Sequence, residues 1–273
     1  NFTSAGGVAA NRVAKWDGTS WSALGDGLDD YVYALAIAPD GNLYAGGEIH
    51  GIEVWDGTNW TRLPSNPSSG NVYALAFDAD GNLYAGGSFR YAGPHTVNGV
   101  AKWDGANWTG LGSGVSIDKD YNPHAVHALA IDADGNLYAG GGFTHAGHVA
   151  NTKYIAKWDG SAWSGLGTGM DSGVLSLAID ESGNLFAGGK FHNAGGVLAD
   201  CIAKWDGSAW SGLDARGTHS SQQVDALAFD ADGNLFAAGF SVNVGGLATE
   251  GIAKWDGSRW FALGNGLNNT IYA

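Results

Sequence analysis

Along most of the chain, apolar residues alternate with small or polar ones over runs of five to eight positions, the period of a strand with one buried face. In "VYALAFD" (72–78) this alternation sets Val72, Ala74 and Ala76 on one face and Tyr73, Leu75 and Phe77 on the other. Three more short segments follow before the pattern restarts: "NLYAGGSF" (82–89), "GVAKWD" (99–104) and "NWTGLG" (107–112). Each is bounded by Gly, Asn or Asp, so the unit reads as four antiparallel strands joined by turns. They are named A to D here, and the chain is expected to be all-β.

The unit repeats. "WDG" begins at Trp16, Trp55, Trp103, Trp158, Trp205 and Trp255, and a second Trp follows five residues later each time, at Trp21, Trp60, Trp108, Trp163, Trp210 and Trp260. "GNL" followed by Tyr or Phe starts at Gly41, Gly81, Gly135, Gly183 and Gly233. A period of about 48 residues built from four strands is that of a β-propeller blade. Blades converge at the axis, so strand A takes small side chains and strands C and D take bulk. Each buried Trp removes about 150–250 Å² from water, and all twelve are expected in the core.

The expected organisation is a single propeller domain over residues 1–273, with five complete repeats, an additional C and D pair at 11–25, and "NNTIYA" (268–273) matching the opening of a strand A. Six blades, the last closed by residues 269–273 beside that C and D pair, leave the fewest unpaired sheet edges. Five blades with the first hairpin as an appendage are the alternative.

"DADGN" (78–82 and 132–136) offers oxygen atoms at alternate positions, as a Ca²⁺ loop does. Position twelve of the first stretch is Phe89, however, and the copies beginning at Ala38 and Asp180 change the candidate ligands while keeping Gly then Asn. A tight turn between A and B, with Gly supplying positive φ, explains what is kept. No cofactor is expected, with Ca²⁺ the alternative.

The phrase "F-x-x-A-G-G" before "IAKWDGSAWSGL" resembles kelch and galactose-oxidase-type propeller repeats. It is more similar still to the repeats of fungal bud-site-selection surface proteins and of bacterial extracellular repeat proteins. The resemblance spans the chain and implies a secreted or cell-surface scaffold used for adhesion or protein interaction; it carries over no catalytic residues.

The A-to-B and C-to-D turns hardly change between copies, whereas the D-to-A and B-to-C connections differ in length and chemistry, and in a propeller both emerge on one face. Recognition concentrates in such connections. The candidate binding residues are Asp29, Asp30, Tyr31, Asp120, Tyr121 and His124 in D-to-A connections, and Tyr91, His95, His145, His148, Tyr154 and His192 in B-to-C connections. Their aromatic rings and amide or carboxylate neighbours also suit a lectin. His127 stands in strand A where other copies carry Tyr33, Tyr73, Leu175, Asp225 and Tyr272.

Composition narrows the function classes. Lys and Arg number 13 against 27 acids, for a net charge of −14, and five of the lysines are fixed in "KWDG" or its variants, which argues against a nucleic-acid partner. Neither a membrane-spanning run nor a signal peptide is evident. The single Cys201 permits no intramolecular disulfide and reads as a small buried side chain. Nucleophile-elbow, zincin and phosphate-loop motifs are lacking, so the protein is expected to be no enzyme. A propeller hydrolase or lyase using Asp120 and His124 is the third reading, behind a surface scaffold and a lectin; Asp171 is a further carboxylate at the same mouth.

Overall fold

In a computed structural model, residues 2–48, 51–116, 125–213, 223–240, 243–244, 247–249 and 251–264 are described. They fall into two compact units, Asn1–Gly114 with Pro123–Val126, and Val115–Asn122 with His127–Ala273. Residues 269–273 lie outside the described ones. Among the described residues every regular element is a strand.

The first unit contains the two-stranded sheet Ala14–Trp16 and Trp21–Ala23 and two four-stranded sheets. Sheet 1 orders Val32–Ile37, Leu43–Gly47, Ile52–Trp55 and Trp60–Arg62, and sheet 2 orders Val72–Phe77, Leu83–Gly87, Val100–Trp103 and Trp108–Gly110. The second unit repeats the A-B-C-D order three times. Sheet 3 is Val126–Ile131, Leu137–Gly141, Ile155–Trp158 and Trp163–Ser164; sheet 4 is Val174–Ile179, Leu185–Gly189, Ile202–Trp205 and Trp210–Gly212; sheet 5 is Gln223–Phe229, Leu235–Phe240, Ile252–Trp255 and Trp260–Ala262. The four strands inferred from the alternation are thus present in order.

Strand A departs from strict alternation. In sheets 1, 2, 4 and 5 its register slips by one residue after the first valine: Val72 pairs with Gly87 and Ala74 with the adjacent Gly86, leaving Tyr73 as the extra residue of a β-bulge. The slip returns Val72 to the face of Leu75 and Phe77. Both Val72 and Leu75 then pack on Gly46 of sheet 1, where a Cβ would come within 2.6 Å of Val72 Cγ1. Gly140 receives Val174 and Leu177, and Gly188 receives Val224 and Leu227, in the same way. The first glycine of the doublet ending strand B is therefore a site of close approach between successive sheets.

The A-to-B stretch is a hydrogen-bonded turn. Asp78 Oδ1 accepts the backbone N–H groups of Asp80 and Asn82, and both its carboxylate oxygens accept from Asn82 Nδ2. Asp132, Asp180 and Asp230 repeat these bonds, and Gly81 takes a φ of 82°. Lys102 on strand C lies 3.6 Å from Asp78 Oδ2 and 5.3 Å from the centre of the Tyr84 ring on strand B. Lys157, Lys204 and Lys254 make the same pair of contacts, half-exposed interactions worth about 1 kcal/mol or less apiece. At the C-to-D corner, Asp206 Oδ1 accepts from the N–H groups of Ser208 and Ala209.

The strand D tryptophans Trp108, Trp163, Trp210 and Trp260 are buried. Indole nitrogens tie sheet to sheet: Trp60 donates to the Leu24 carbonyl within the first unit, and Trp210 and Trp260 to those of Leu166 and Leu213 within the second. Trp16 and Trp21 depart from the expected core position, being 49% and 41% exposed. The sheet of their unit that precedes theirs is the short hairpin Ser4–Ala5 with Val8–Ala9, which offers no leucine edge like the one that covers Trp60. Cys201 is buried, and its thiol is pushed up to about 12 by burial, with Asp200 and Asp171 adding to the shift.

Candidate functional site

In sheets 2, 3 and 4 the two variable connections meet at one end of the sheet. Pro67–Ser68, in the connection from sheet 1 to sheet 2, pairs with Tyr91–Ala92 of the B-to-C hairpin of sheet 2. In the second unit, Val115–Ser116 pairs with His145–Ala146, and Met170 bridges to Ala194. Asp171 makes the last contact firm: Oδ1 accepts the His192 N–H, while Oδ2 accepts the N–H and Nδ2 of Asn193. Both oxygens of this candidate carboxylate therefore hold a hairpin in place.

Tyr91 and His95 lie exposed on one hairpin of the first unit, with the Arg90 guanidinium 5.6 Å from the centre of the Tyr91 ring. His145 is half-buried, its Nδ1 3.2 Å from Thr144 Oγ1. His148 is exposed at the tip of that connection with a φ of 59°. His192 is exposed, Nδ1 lying 3.5 Å from Asp200 Oδ1. Tyr154 immediately precedes strand C, its N–H bonded to the Phe143 carbonyl and its ring packed on the sheet core, which makes it a frame residue as much as a surface one. Asp120, Tyr121 and His124 lie outside the described residues. Among the described residues no three His, Cys, Asp or Glu side chains converge as metal ligands do.

Asp29, Asp30 and Tyr31 lead to a feature that reading the loops alone misses. Asp30 Oδ1 accepts the Tyr31 N–H. The Tyr31 ring lies parallel to that of Tyr33, with 15° between planes and 6.4 Å between centres, and Tyr33 meets Tyr73 of the next sheet at 5.3 Å and 48°. Tyr31 and Tyr33 are each 43% exposed. The Tyr33 hydroxyl donates to Glu48 Oε1 at 2.6 Å, which with burial and the Glu48 charge raises its pKa to about 12 and keeps it protonated. Asn71 Nδ2 donates to the Tyr73 hydroxyl, and Ser88 Oγ accepts the Asn71 N–H.

Tyr33 and Tyr73 are the bulge residues of their strands, and Glu48 and Ser88 are the residues just after the glycine doublets. The same two positions in the second unit hold His127 with Gly142, Leu175 with Lys190, and Asp225 with Phe240. His127 is largely buried, which lowers its pKa, with Lys190 adding to the effect, and Asp225 accepts from Gln223 Nε2. A bulge residue has no partner in the ladder, so its side chain can vary without cost to pairing. The clue in the sequence was variation among internal copies at one position of a strand that is otherwise nearly uniform.

No protein-family model matches the chain, and no curated protein does. Solved structures do. Virginiamycin B lyase from Staphylococcus aureus superposes with a TM-score of 0.57 at 12% identity, over 85% of this chain and 70% of that one. YCF48 bound to a D1 peptide gives 0.53 at 16% identity, over 89% and 71%. The extracellular domain of a hybrid two-component system from B. thetaiotaomicron gives 0.52 at 16% identity over 78% of this chain, which spans 26% of that domain's length. At such identities the likeness shows the fold: an all-β propeller of four-stranded antiparallel blades. No helix among the described residues is long and apolar enough to cross a membrane.

Proposed function

We propose that the protein is a non-enzymatic propeller acting outside the cell or at its surface, where it binds a surface protein or glycan through the end that gathers the variable connections. One observation carries this reading. Turn aspartates, strand C lysines and sheet-to-sheet glycines recur in most copies, whereas the post-glycine position at the connection end differs in every copy and the bulge position holds Tyr, Tyr, His, Leu and Asp in turn. A frame held constant beneath varied side chains is the arrangement of a recognition surface. The repeat resemblance to fungal bud-site-selection surface proteins and the propeller-bearing extracellular sensor domain support the location.

The test is capture of surface proteins and polymers by the wild type and by a variant carrying Tyr33→Leu, Glu48→Lys, Tyr73→Leu and Ser88→Lys, the pattern found in sheet 4. Loss of captured partners supports the reading. Unchanged capture places recognition elsewhere. The hydrolase or lyase reading keeps its own test: turnover of any glycoside or polysaccharide, abolished by Asp120→Asn or His124→Ala, would replace binding with catalysis.

A further inference from the structure

We propose that the Tyr31–Tyr33–Tyr73 strip is a subsite for an uncharged pyranose chain, the sugar faces stacking on the tyrosine rings and the sugar hydroxyls donating to Glu48 and Asn71. The inference rests on the binding role given above and names the ligand class of its best-defined surface.

The ring arrangement comes first. Tyr31 and Tyr33 are parallel to within 15° but have their centres 6.4 Å apart, farther than direct face-to-face contact requires, so the rings are offset and each leaves part of a face to solvent. Tyr73 continues the row at a tilt of 48°. A pyranose presents a patch of C–H groups to such faces and a rim of hydroxyls around it. Enclosing a quaternary ammonium asks instead for rings set around a point, and these three form a row.

Polar groups at the edge select further. Glu48 is exposed and uses Oε1 to accept from Tyr33, and Asn71 uses Nδ2 to donate to Tyr73, which leaves the second carboxylate oxygen and the Asn71 amide oxygen as acceptors on the two residues that edge the row. A ligand that fits must bring donors. Sugar hydroxyls do, whereas a proline-rich strand brings carbonyl acceptors and few N–H groups. Asp29, Asp30 and Glu48 flank the row, in a chain of net charge −14, and oppose uronate or sialylated chains. Among the described residues tyrosine holds the bulge position in the first unit, and His127, Leu175 and Asp225 stand there in the second.

Calorimetric titration with neutral hexasaccharides of glucose, mannose, xylose and N-acetylglucosamine tests the proposal on the whole chain. At least one should bind saturably, and Tyr33→Ala or Tyr31→Ala should weaken it about tenfold, while Tyr33→Phe, which keeps the ring, stays within about threefold. Circular dichroism and the melting temperature establish that each variant is folded; if Tyr33→Ala does not fold, Tyr31→Ala and Glu48→Gln carry the comparison. Absence of saturable binding by all four series, or binding indifferent to both tyrosine substitutions, overturns the proposal. Tyr33-dependent binding of a proline-rich peptide or of choline, with no sugar bound, also overturns it but leaves the binding role standing. Partner capture unaffected by every connection-end variant removes that role as well.

Discussion

Trp210 Nε1 donates to the carbonyl of Leu166 at 2.9 Å, joining strand D of one sheet to the edge of the sheet before it across 44 residues of chain. Trp60 and Trp260 make the same bond. Trp108, buried to the same depth, has no partner for its indole N–H. Pro64 follows Leu63 where Gly25 and Gly167 follow Leu24 and Leu166. Trp210→Phe and Trp108→Phe remove similar volume, so the difference between them isolates the bond. Trp210→Phe should cost about 1 kcal/mol more in denaturant-derived stability, and equal losses would refute the assignment.

Gly188 is the second expected point of weakness. A Cβ there would lie 2.6 Å from Val224 Cγ1 and 3.2 Å from Leu227 Cγ. Gly188→Ala should lower unfolding stability by about 1–3 kcal/mol through overpacking of sheet 4 against sheet 5. Restoring space with Val224→Ala in the double variant should recover part of the loss, a coupling that a purely conformational effect would not show.

Acid should weaken the C-to-D corners. Asp206 and Asp159 are held at about 2 chiefly by N–H groups of Ala209 and Ala162, and Asp256 at about 2 by the Ser258 hydroxyl and the N–H groups of Ser258 and Arg259. Asp17, Asp56 and Asp104 are also lowered. A carboxylate whose pKa falls on folding stabilises the native state above its unfolded value and ceases to do so as pH drops through the folded one. The melting temperature should therefore change little between pH 7 and about 5 from these groups, then fall between about pH 4 and about 2. Asp206→Asn, which keeps an acceptor oxygen but cannot titrate, should make that fall shallower.

Cys201, 2% exposed with its thiol at about 12, should not react with a disulfide reagent at pH 8 in the native protein and should react fully in denaturant. Prompt native reaction would show that the αL entry to strand C in sheet 4, where Cys201 has a φ of 73°, opens readily.

The frame was legible in the sequence because its determinants are local and repeated. Asp78, Gly81 and Asn82 fix a turn within five residues, and the paired tryptophans mark C and D. The bulge was not legible: "VYALAF" alternates perfectly as written, and only the pairing of Val72 with Gly87 and Ala74 with Gly86 reveals that Tyr73 drops out of the pleat. The clustering of Tyr31, Tyr33 and Tyr73 escaped for a related reason, since it depends on two successive sheets lying close enough for Val72 to rest on Gly46. Asp171 read as a loop acid and proves to be a clamp, because its partners are 21 and 22 residues away.

The extra residue in strand A has no cross-strand partner, so a mutation there changes what the surface offers without breaking the ladder on either side of it. Natural variation can then work on the bulges one codon at a time, and each duplication of a repeat adds another such site. For an engineer the same property defines a library: randomising positions 33, 73, 175 and 225 should diversify binding while leaving expression and folding close to those of the parent.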